Sequence, residues 1–152
     1  MRRHRRVVAA LLTGIVVWSL ATALRPPAPE MVSVVATSPA VTDEGGLLKA
    51  VREREALLST GIGLGIAIPH ARIPTVTSFV VGVGRHAAGI EFGAIDGRPV
   101  SILVLIAGPQ DAQKPYLELL AQLSKRLKIA DIRAKIAGGA TPAEVVTLLT
   151  AV

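Results

Sequence analysis

The sequence contains no cysteine, which excludes disulfide cross-links, thiolate nucleophiles and thiolate metal sites. Histidine is scarce as well, with only His4, His70 and His86 among the 152 residues. No two of these lie one helical turn apart, the spacing at which paired histidines bind zinc in metallohydrolases. We therefore expect no metal site in this chain.

The sequence also has few aromatic residues, and its positive charge is concentrated in the first 40 residues. There are four aromatic residues in total, too few to form stacking platforms for single-stranded nucleic acid. The net charge is +6, but residues 1–40 hold five Arg against one Glu, whereas residues 41–152 hold twelve basic and ten acidic residues. A nearly neutral body argues against a nucleic-acid-binding protein.

The front of the chain has its own composition. Residues 1–6 form a basic head, and residues 7–24 contain no charged residue. This pattern predicts a membrane anchor or signal segment, and its length favours an uncleaved apolar helix. The alternative is that translation starts further along and the segment is never made. Residues 25–42 are expected to be a linker, or to hold one loose strand over 33–37.

The rest of the chain, 43–152, alternates helical and strand patterns. Apolar residues recur every three or four positions over 46–58, which predicts a helix. Residues 66–68 suit an edge strand, 76–84 a buried strand, and 99–109 a central strand covered on both faces. Three helices follow, over 113–128, from a cap at Asp131 to 138, and over 142–151. We expect an α/β domain with a mixed sheet and helices on both faces.

The stretch STGIGLGIAIPH, residues 59–70, is the least ordinary part of the chain. Its glycines have the spacing G-x-G-x-G and lie between a predicted helix and a predicted strand. A dinucleotide-binding loop needs G-x-G-x-x-G between a strand and a helix, and a P-loop needs Gly-Lys before Ser or Thr. Both kinds of nucleotide site are excluded on this ground.

Two interpretations of His70 remain. It could be an ordinary structural histidine beside an apolar segment. Alternatively, it could accept a phosphoryl group, because a neutral imidazole is a nucleophile at pH 7 and Pro69 restricts the backbone just before it. Donors for an oxyanion are available nearby: the guanidinium of Arg54 and a predicted phosphate-binding set of Ser59, Thr60, Gly61, Gly63 and Gly65.

Three stretches resemble one known family. RE-x3-STGIGLGIAIPH (54–70), FGAIDGRPVSILVLIAGP (92–109) and YLELLAQLSKRL (116–127) are similar, in this order, to the fructose/mannitol-type IIA domain of the bacterial phosphoenolpyruvate-dependent sugar phosphotransferase system. Nitrogen-regulatory relatives belong to the same family. The resemblance implies that His70 receives phosphate from HPr or an HPr-like carrier and passes it to a cysteine of a IIB domain, with Arg54 at the site. The protein could serve sugar uptake in this way or act as a regulator whose phosphorylation state is read by a target. It implies no cofactor, since the donor is a protein.

The chain departs from that family in two places. Tyr116 stands where members have a second active-site histidine, and a phenol brings no positive charge near neutral pH. The front is short of strand and helix residues, so the sheet could lack an edge strand unless 33–37 replaces it. The alternative function is therefore a degenerate IIA-like binding module without efficient transfer.

His86 and Asp96 are two further polar residues that are not expected to react. His86 is predicted to lie in a surface turn, and Asp96 to form a tight turn with Gly97.

The cellular location of the domain follows from the proposed donor. Because HPr and phosphoenolpyruvate are cytoplasmic, we expect the domain on the cytoplasmic side, with residues 7–24 as a possible membrane anchor. Positive residues ahead of a single span would favour the opposite orientation, so export stays open.

Overall fold

The computed structural model describes residues 7–12, 15–19 and 28–151. In this part of the chain seven strands form one sheet and five helices cover it. The strands are β1 (Val7–Leu12), β2 (Ile15–Ser19), β3 (Gly61–Gly63), β4 (Ile66–Ala67), β5 (His70–Ile73), β6 (Val80–Ile90) and β7 (Val100–Pro109). The helices are α1 (Ala28–Val35), α2 (Glu44–Leu57), α3 (Gln113–Leu127), α4 (Ala130–Ala137) and α5 (Pro142–Thr150).

The sheet is mixed, and β7 lies at its centre. The strand order is β1-β2-β6-β7-β4-β3, with β5 pairing β7 beyond the end of β4. Strand β7 runs antiparallel to β6 and parallel to both β4 and β5. Residues 102–107 of β7 are all buried, as expected for a strand covered on both faces. The prediction of a mixed sheet with helices is confirmed.

Each face of the sheet has its own hydrophobic core. On one face, α1 and α2 pack their apolar side chains against alternate residues of β6 and β7, including Val80, Leu103 and Leu105. On the other face, α3, α4 and α5 pack against Val81 and Val83 of β6 and against three alternate residues of β7, which are Ile102, Val104 and Ile106. This alternation is the strand period of two. The two-sided burial explains why β7 has no polar side in the sequence.

The front of the chain corrects the prediction of an apolar helix over 7–24. Residues 7–12 and 15–19 are instead strands: β1 pairs antiparallel with β2, and β2 pairs parallel with β6. Valine and isoleucine make up three of the five residues of β2, whereas β1 consists of Val, Ala and Leu in equal number. A short apolar run of this kind cannot be assigned to helix or strand by periodicity alone. Residues 13–14 and 20–24 of the predicted segment lie outside the described residues. None of the helices within the described ranges has the length and apolar content to cross a membrane.

Helix α1 occupies residues 28–35 of the region 25–42, where a linker or loose strand was expected. Its residues Met31, Val32, Val34 and Val35 are buried against the sheet. The backbone of Gly82 admits this close approach, because a Cβ there would lie 2.7 Å from the Val35 Cγ2. Residues 33–37 therefore do not replace an edge strand; β1 and β2 extend the sheet beyond β6 instead.

Most of the later elements are confirmed, with shifted boundaries. Asp43 caps α2 by accepting a hydrogen bond from the Gly46 amide, and the predicted capping box of Thr141 and Glu144 starts α5. Two details are wrong. Strand β4 is internal, between β3 and β7, and the residue that caps α4 is Ile129, while Asp131 pairs with Lys135 within the helix.

Candidate functional site

A break in the sheet positions His70. Strand β4 pairs with the first half of β7, and β5 pairs with its second half, so β4 and β5 are two pieces of one strand position interrupted at Ile68 and Pro69. The Pro69 carbonyl still accepts a hydrogen bond from the Ile106 amide at 3.0 Å. His70 is therefore the first residue of a strand held against the buried centre of the sheet.

The ring of His70 is held at both nitrogens. Its Nδ1 lies 2.8 Å from the Ile68 carbonyl oxygen, and the Arg54 Nε donates to its Nε2 at 3.2 Å. A carbonyl oxygen can only accept, so Nδ1 carries the ring proton in the neutral imidazole. The lone pair is then on Nε2, which agrees with its role as acceptor from Arg54. The surroundings of the ring thus define which nitrogen carries the proton and which carries the lone pair.

The environment also favours the neutral form of this imidazole. Half-burial disfavours the charged ring and lowers the pKa of His70 from its ordinary value of 6.5; the nearby charges of Arg54 and Arg72 act in the same direction. The hydrogen bond to the Ile68 carbonyl and the negative charge of Glu55 raise the pKa but do not reverse these effects. These effects favour the neutral imidazole at neutral pH, and its lone pair on Nε2 is then available for reaction.

Helix α2 supplies Arg54 from its last turn. The Arg54 Nη1 donates to the Leu58 carbonyl at 2.9 Å, just past the end of the helix, and its Nε points at His70. This end of the helix carries the negative pole of the helix dipole, where a guanidinium is favoured. Among the residues of 28–151, Arg54 forms no ion pair with a carboxylate. Its charge is therefore available to an anion bound at the ring.

Arg72 belongs to the same site, and the sequence analysis missed it. His70 and Arg72 alternate with the buried Ala71 along β5, so both side chains leave the strand on one side. The Arg72 guanidinium carbon lies 5.3 Å above the centre of the Tyr116 ring, and the centres of the Tyr116 and His70 rings are 5.4 Å apart. The i, i+2 spacing after His70 was the signal that could have revealed Arg72.

Tyr116, in the first turn of α3, forms one wall of the site. Only 6% of the residue is exposed, and its hydroxyl has no hydrogen-bond partner among the described residues. Burial raises the pKa of the phenol, so it is neutral at physiological pH. The residue at the position of the second family histidine thus contributes a ring and an unused hydroxyl, without charge.

These side chains line an open cleft of about 480 Å³ between α2 and α3. The lining residues are Ala50, Glu53, Arg54, Leu57, His70, Ala71, Arg72 and Tyr116. The cleft brings together two guanidinium groups, the Tyr116 ring and the unprotonated Nε2 of His70. Such a set can bind an oxyanion next to the nitrogen that would attack it.

The five predicted phosphate-binding residues do not line this cleft. The Ser59 hydroxyl donates to the Phe92 carbonyl at 3.1 Å, and the Thr60 backbone amide and hydroxyl both donate to the Glu55 carboxylate. These polar groups join the end of α2 to β3 and to the segment before β7. Their binding of phosphate stays a prediction.

The three glycines of the same stretch occupy positions where a side chain would be strained or would clash. Gly63 and Gly65 have φ angles of +92° and +74° in the turn between β3 and β4, a region that favours glycine. Gly61 lies against Ala94, where a Cβ would be 2.7 Å from the Ala94 Cα. The three glycines therefore make a turn and a close contact.

Asp96 and His86 lie outside the cleft. Asp96 accepts hydrogen bonds from the amides of Leu64 and Arg98, which lower its pKa, and the predicted turn ending at Gly97 is confirmed. The predicted surface turn at His86 is wrong: the residue is in β6, only 8% exposed. No cluster of potential metal ligands occurs in the described part of the chain.

Known proteins share both the sequence pattern and the fold. The family described as "Phosphoenolpyruvate-dependent sugar phosphotransferase system, EIIA 2" matches residues 29–152, a range that starts ahead of the domain boundary expected at 43. The fructose-specific EIIA component of Haloferax volcanii is 38% identical over 96 residues, which are 63% of this chain and 62% of that protein. The fructose-specific EIIABC component of Bacillus subtilis is 36% identical over 107 residues, 70% of this chain and 17% of that protein.

A solved structure agrees with these matches. The nitrogen regulatory protein IIA-Ntr of Neisseria meningitidis has a TM-score of 0.78 and 26% identity, covering 90% of this chain and 93% of that one. The chain spans less than two thirds of both fructose-specific relatives. Since the family match extends over most of its length and includes the whole cleft, the chain belongs to the EIIA type 2 family of the phosphoenolpyruvate-dependent sugar phosphotransferase system.

Proposed function

We propose that this protein is a phosphoryl carrier whose acceptor atom is the Nε2 of His70. The observation that carries the proposal is the arrangement of the ring: Nδ1 faces the Ile68 carbonyl, while Nε2 faces Arg54 and belongs to an open cleft. A neutral imidazole fixed in this tautomer needs no base to expose its lone pair.

The proposed reaction is a displacement at phosphorus. The Nε2 lone pair forms a new P–N bond while the bond between phosphorus and the donor nitrogen breaks, and the donor imidazole keeps that electron pair. The ring proton on Nδ1 stays in its hydrogen bond with Ile68. Arg54 offsets the negative charge of the phosphoryl oxygens throughout the transfer, where preorganised donors stabilise the transition state most.

The partners follow from the family resemblance. We propose an HPr-like phosphocarrier as donor and a IIB-domain cysteine, or a regulatory target that responds to the phosphorylation state, as the next partner. Curated relatives include both fructose-specific components and nitrogen regulatory proteins, so family membership supports either use. A protein donor and acceptor of this kind require the domain to work in the cytoplasm, and they require no cofactor.

Labelling of the full chain tests the proposal. The protein is incubated with enzyme I, HPr and phosphoenolpyruvate carrying labelled phosphate, and a parallel sample receives phosphoramidate, a small donor that needs no partner protein. We expect acid-labile, alkali-stable label in the wild type and none in His70→Asn. Phosphorus NMR should identify Nε2 as the labelled nitrogen.

A control separates loss of the acceptor from loss of the fold. The His86→Gln variant removes the other described histidine, which lies outside the cleft, and it should keep the label. A wild type without label from either donor would contradict the proposal. That result would favour the degenerate IIA-like binding module, for which Tyr116 in place of the second family histidine is the specific observation.

A further inference from the structure

The charge of a bound phosphoryl group exceeds what Arg54 alone can offset. A phosphoryl group on nitrogen carries up to two negative charges near neutral pH, and Arg54 supplies one positive charge. Glu53 also lines the cleft, but its carboxylate pairs with Lys49 at 3.8 Å and supplies no positive charge. A second cation close to His70 would balance the site, and Tyr116 is not one.

Arg72 has the position and the unused donors for this task. It leaves β5 on the same side as His70, and both side chains line the cleft. Its Nη1 donates to the Gln110 carbonyl at 2.9 Å, and its other nitrogens have no hydrogen-bond partner among the described residues. Within this part of the chain it forms no ion pair either.

Tyr116 holds this guanidinium in place. The Arg72 guanidinium carbon is 5.3 Å from the centre of the Tyr116 ring, within the range of a cation–π contact. The same ring is 5.4 Å from that of His70, so it touches both the cation and the nucleophile. An arginine fixed at two points, the ring and the Gln110 carbonyl, loses less conformational entropy when an anion binds.

We propose that Arg72 is the second phosphoryl-binding cation of the cleft, and that Tyr116 is a positioning residue that holds the Arg72 guanidinium beside His70. The inference rests on the proposed phosphorylation of His70. In this arrangement Tyr116 acts through its ring face, and its hydroxyl is dispensable. Arg72, held by Tyr116, then supplies the second positive charge of the cleft, which a tyrosine at position 116 cannot supply itself.

Four single variants and one double variant test the pair in the full chain, with phosphoramidate as donor and the rate of His70 labelling as the readout. Arg72→Ala should slow labelling by about tenfold to 100-fold, the effect of a lost hydrogen bond to a charged group. Arg72→Lys should recover part of the rate because it keeps the charge. Tyr116→Phe keeps the ring and should stay within about twofold of the wild type, whereas Tyr116→Leu should lose most of what Arg72→Ala loses.

The double variant distinguishes positioning from a structural role. If Tyr116 acts through Arg72, the combination Arg72→Ala with Tyr116→Leu is no slower than Arg72→Ala alone. Rate losses that multiply would overturn the proposal. So would an Arg72→Ala protein that labels at the wild-type rate, or a Tyr116→Phe protein as slow as Tyr116→Leu, which would assign the role to the hydroxyl.

A second readout does not depend on phosphotransfer. In NMR titrations the pKa of His70 should rise in Arg72→Ala, which removes a positive charge from beside the ring, and in Tyr116→Leu, which releases the Arg72 guanidinium from its place beside the ring. It should not rise in Tyr116→Phe, which keeps the ring face that holds Arg72. An unchanged His70 pKa in Arg72→Ala would contradict the placement of Arg72. If the wild type takes no label while these shifts are observed, the phosphoryl-carrier function fails and the arrangement of Arg72 and Tyr116 stands.

Discussion

The two halves of the stretch from residue 59 to residue 70 have different structural roles although they are adjacent in sequence. In the first half, the hydroxyls of Ser59 and Thr60 bond to other parts of the protein, and the glycines form a turn. In the second half, the chain returns to the sheet and His70 enters an open cleft. A single conspicuous motif can thus combine a scaffold with the proposed phosphoryl acceptor, and its polar residues need not all line the cleft.

Removing the Arg54 side chain should have the largest effect on the rate at which His70, in the second half of the stretch, is labelled. Arg54→Ala takes away the donor at the His70 Nε2 and the charge beside the phosphoryl oxygens, so we expect labelling to slow by about 10²-fold. The midpoint of thermal unfolding should change little, since the side chain is partly exposed. Parallel rate and unfolding measurements check this. A large loss of stability with an unchanged rate would place Arg54 in the scaffold.

Changing Gly61 should have the opposite outcome. A Cβ in Gly61→Ala would clash with Ala94, and the resulting shift of β3 should reduce the free energy of unfolding by about 1–3 kcal/mol. The labelling rate, measured well below the unfolding temperature, should remain close to that of the wild type. Urea denaturation gives the stability. The comparison would break if Gly61→Ala stopped labelling while the protein stayed folded.

Ser59→Ala is the sharpest test of the boundary between the halves. The variant loses the hydrogen bonds to the Phe92 carbonyl and from the Gly61 amide, which should cost about 1 kcal/mol of stability. Its labelling rate should stay within about twofold of the wild type, because the side chain does not line the cleft. A rate loss as large as that of Arg54→Ala would instead support the phosphate-binding role predicted for Ser59.

The smallest expected effect concerns pH. Because the pKa of His70 is lowered in the folded protein, the unfolded chain binds more protons between that pKa and 6.5. The contribution of His70 to the free energy of unfolding is therefore constant above this pH window and falls as the pH decreases through it. His70→Gln should lack this contribution, and urea denaturation of both proteins across the window would measure the difference. Equal pH profiles would contradict a depressed pKa.

The parts of the molecule that the sequence predicts are those with a strong local signal. The unbroken apolar run of β7 and the capping box of α5 identify their elements without reference to the rest of the chain. His70 and Arg54 come together as the family resemblance implies, with a hydrogen bond between their side chains. These features depend on residues close in sequence or on a long and specific motif.

The parts that the sequence misses depend on distant partners. An apolar run such as Val7–Leu12 and Ile15–Ser19 suits a helix or a strand equally well, and pairing with β6 decides between them. Nothing in the sequence indicates that the hydroxyls of Ser59 and Thr60 hydrogen-bond to the Phe92 carbonyl and the Glu55 carboxylate, since the first of these partners is 33 residues away. Arg72 gains its meaning only when α3 brings Tyr116 beneath it.

The pairing of β2 with β6 has a practical consequence for anyone who shortens the protein. A version that begins at the family-matched region would leave the backbone amides and carbonyls of β6 uncovered along one side. Uncovered strands of this kind recruit other chains, so such a version should self-associate or precipitate even though its cleft is intact.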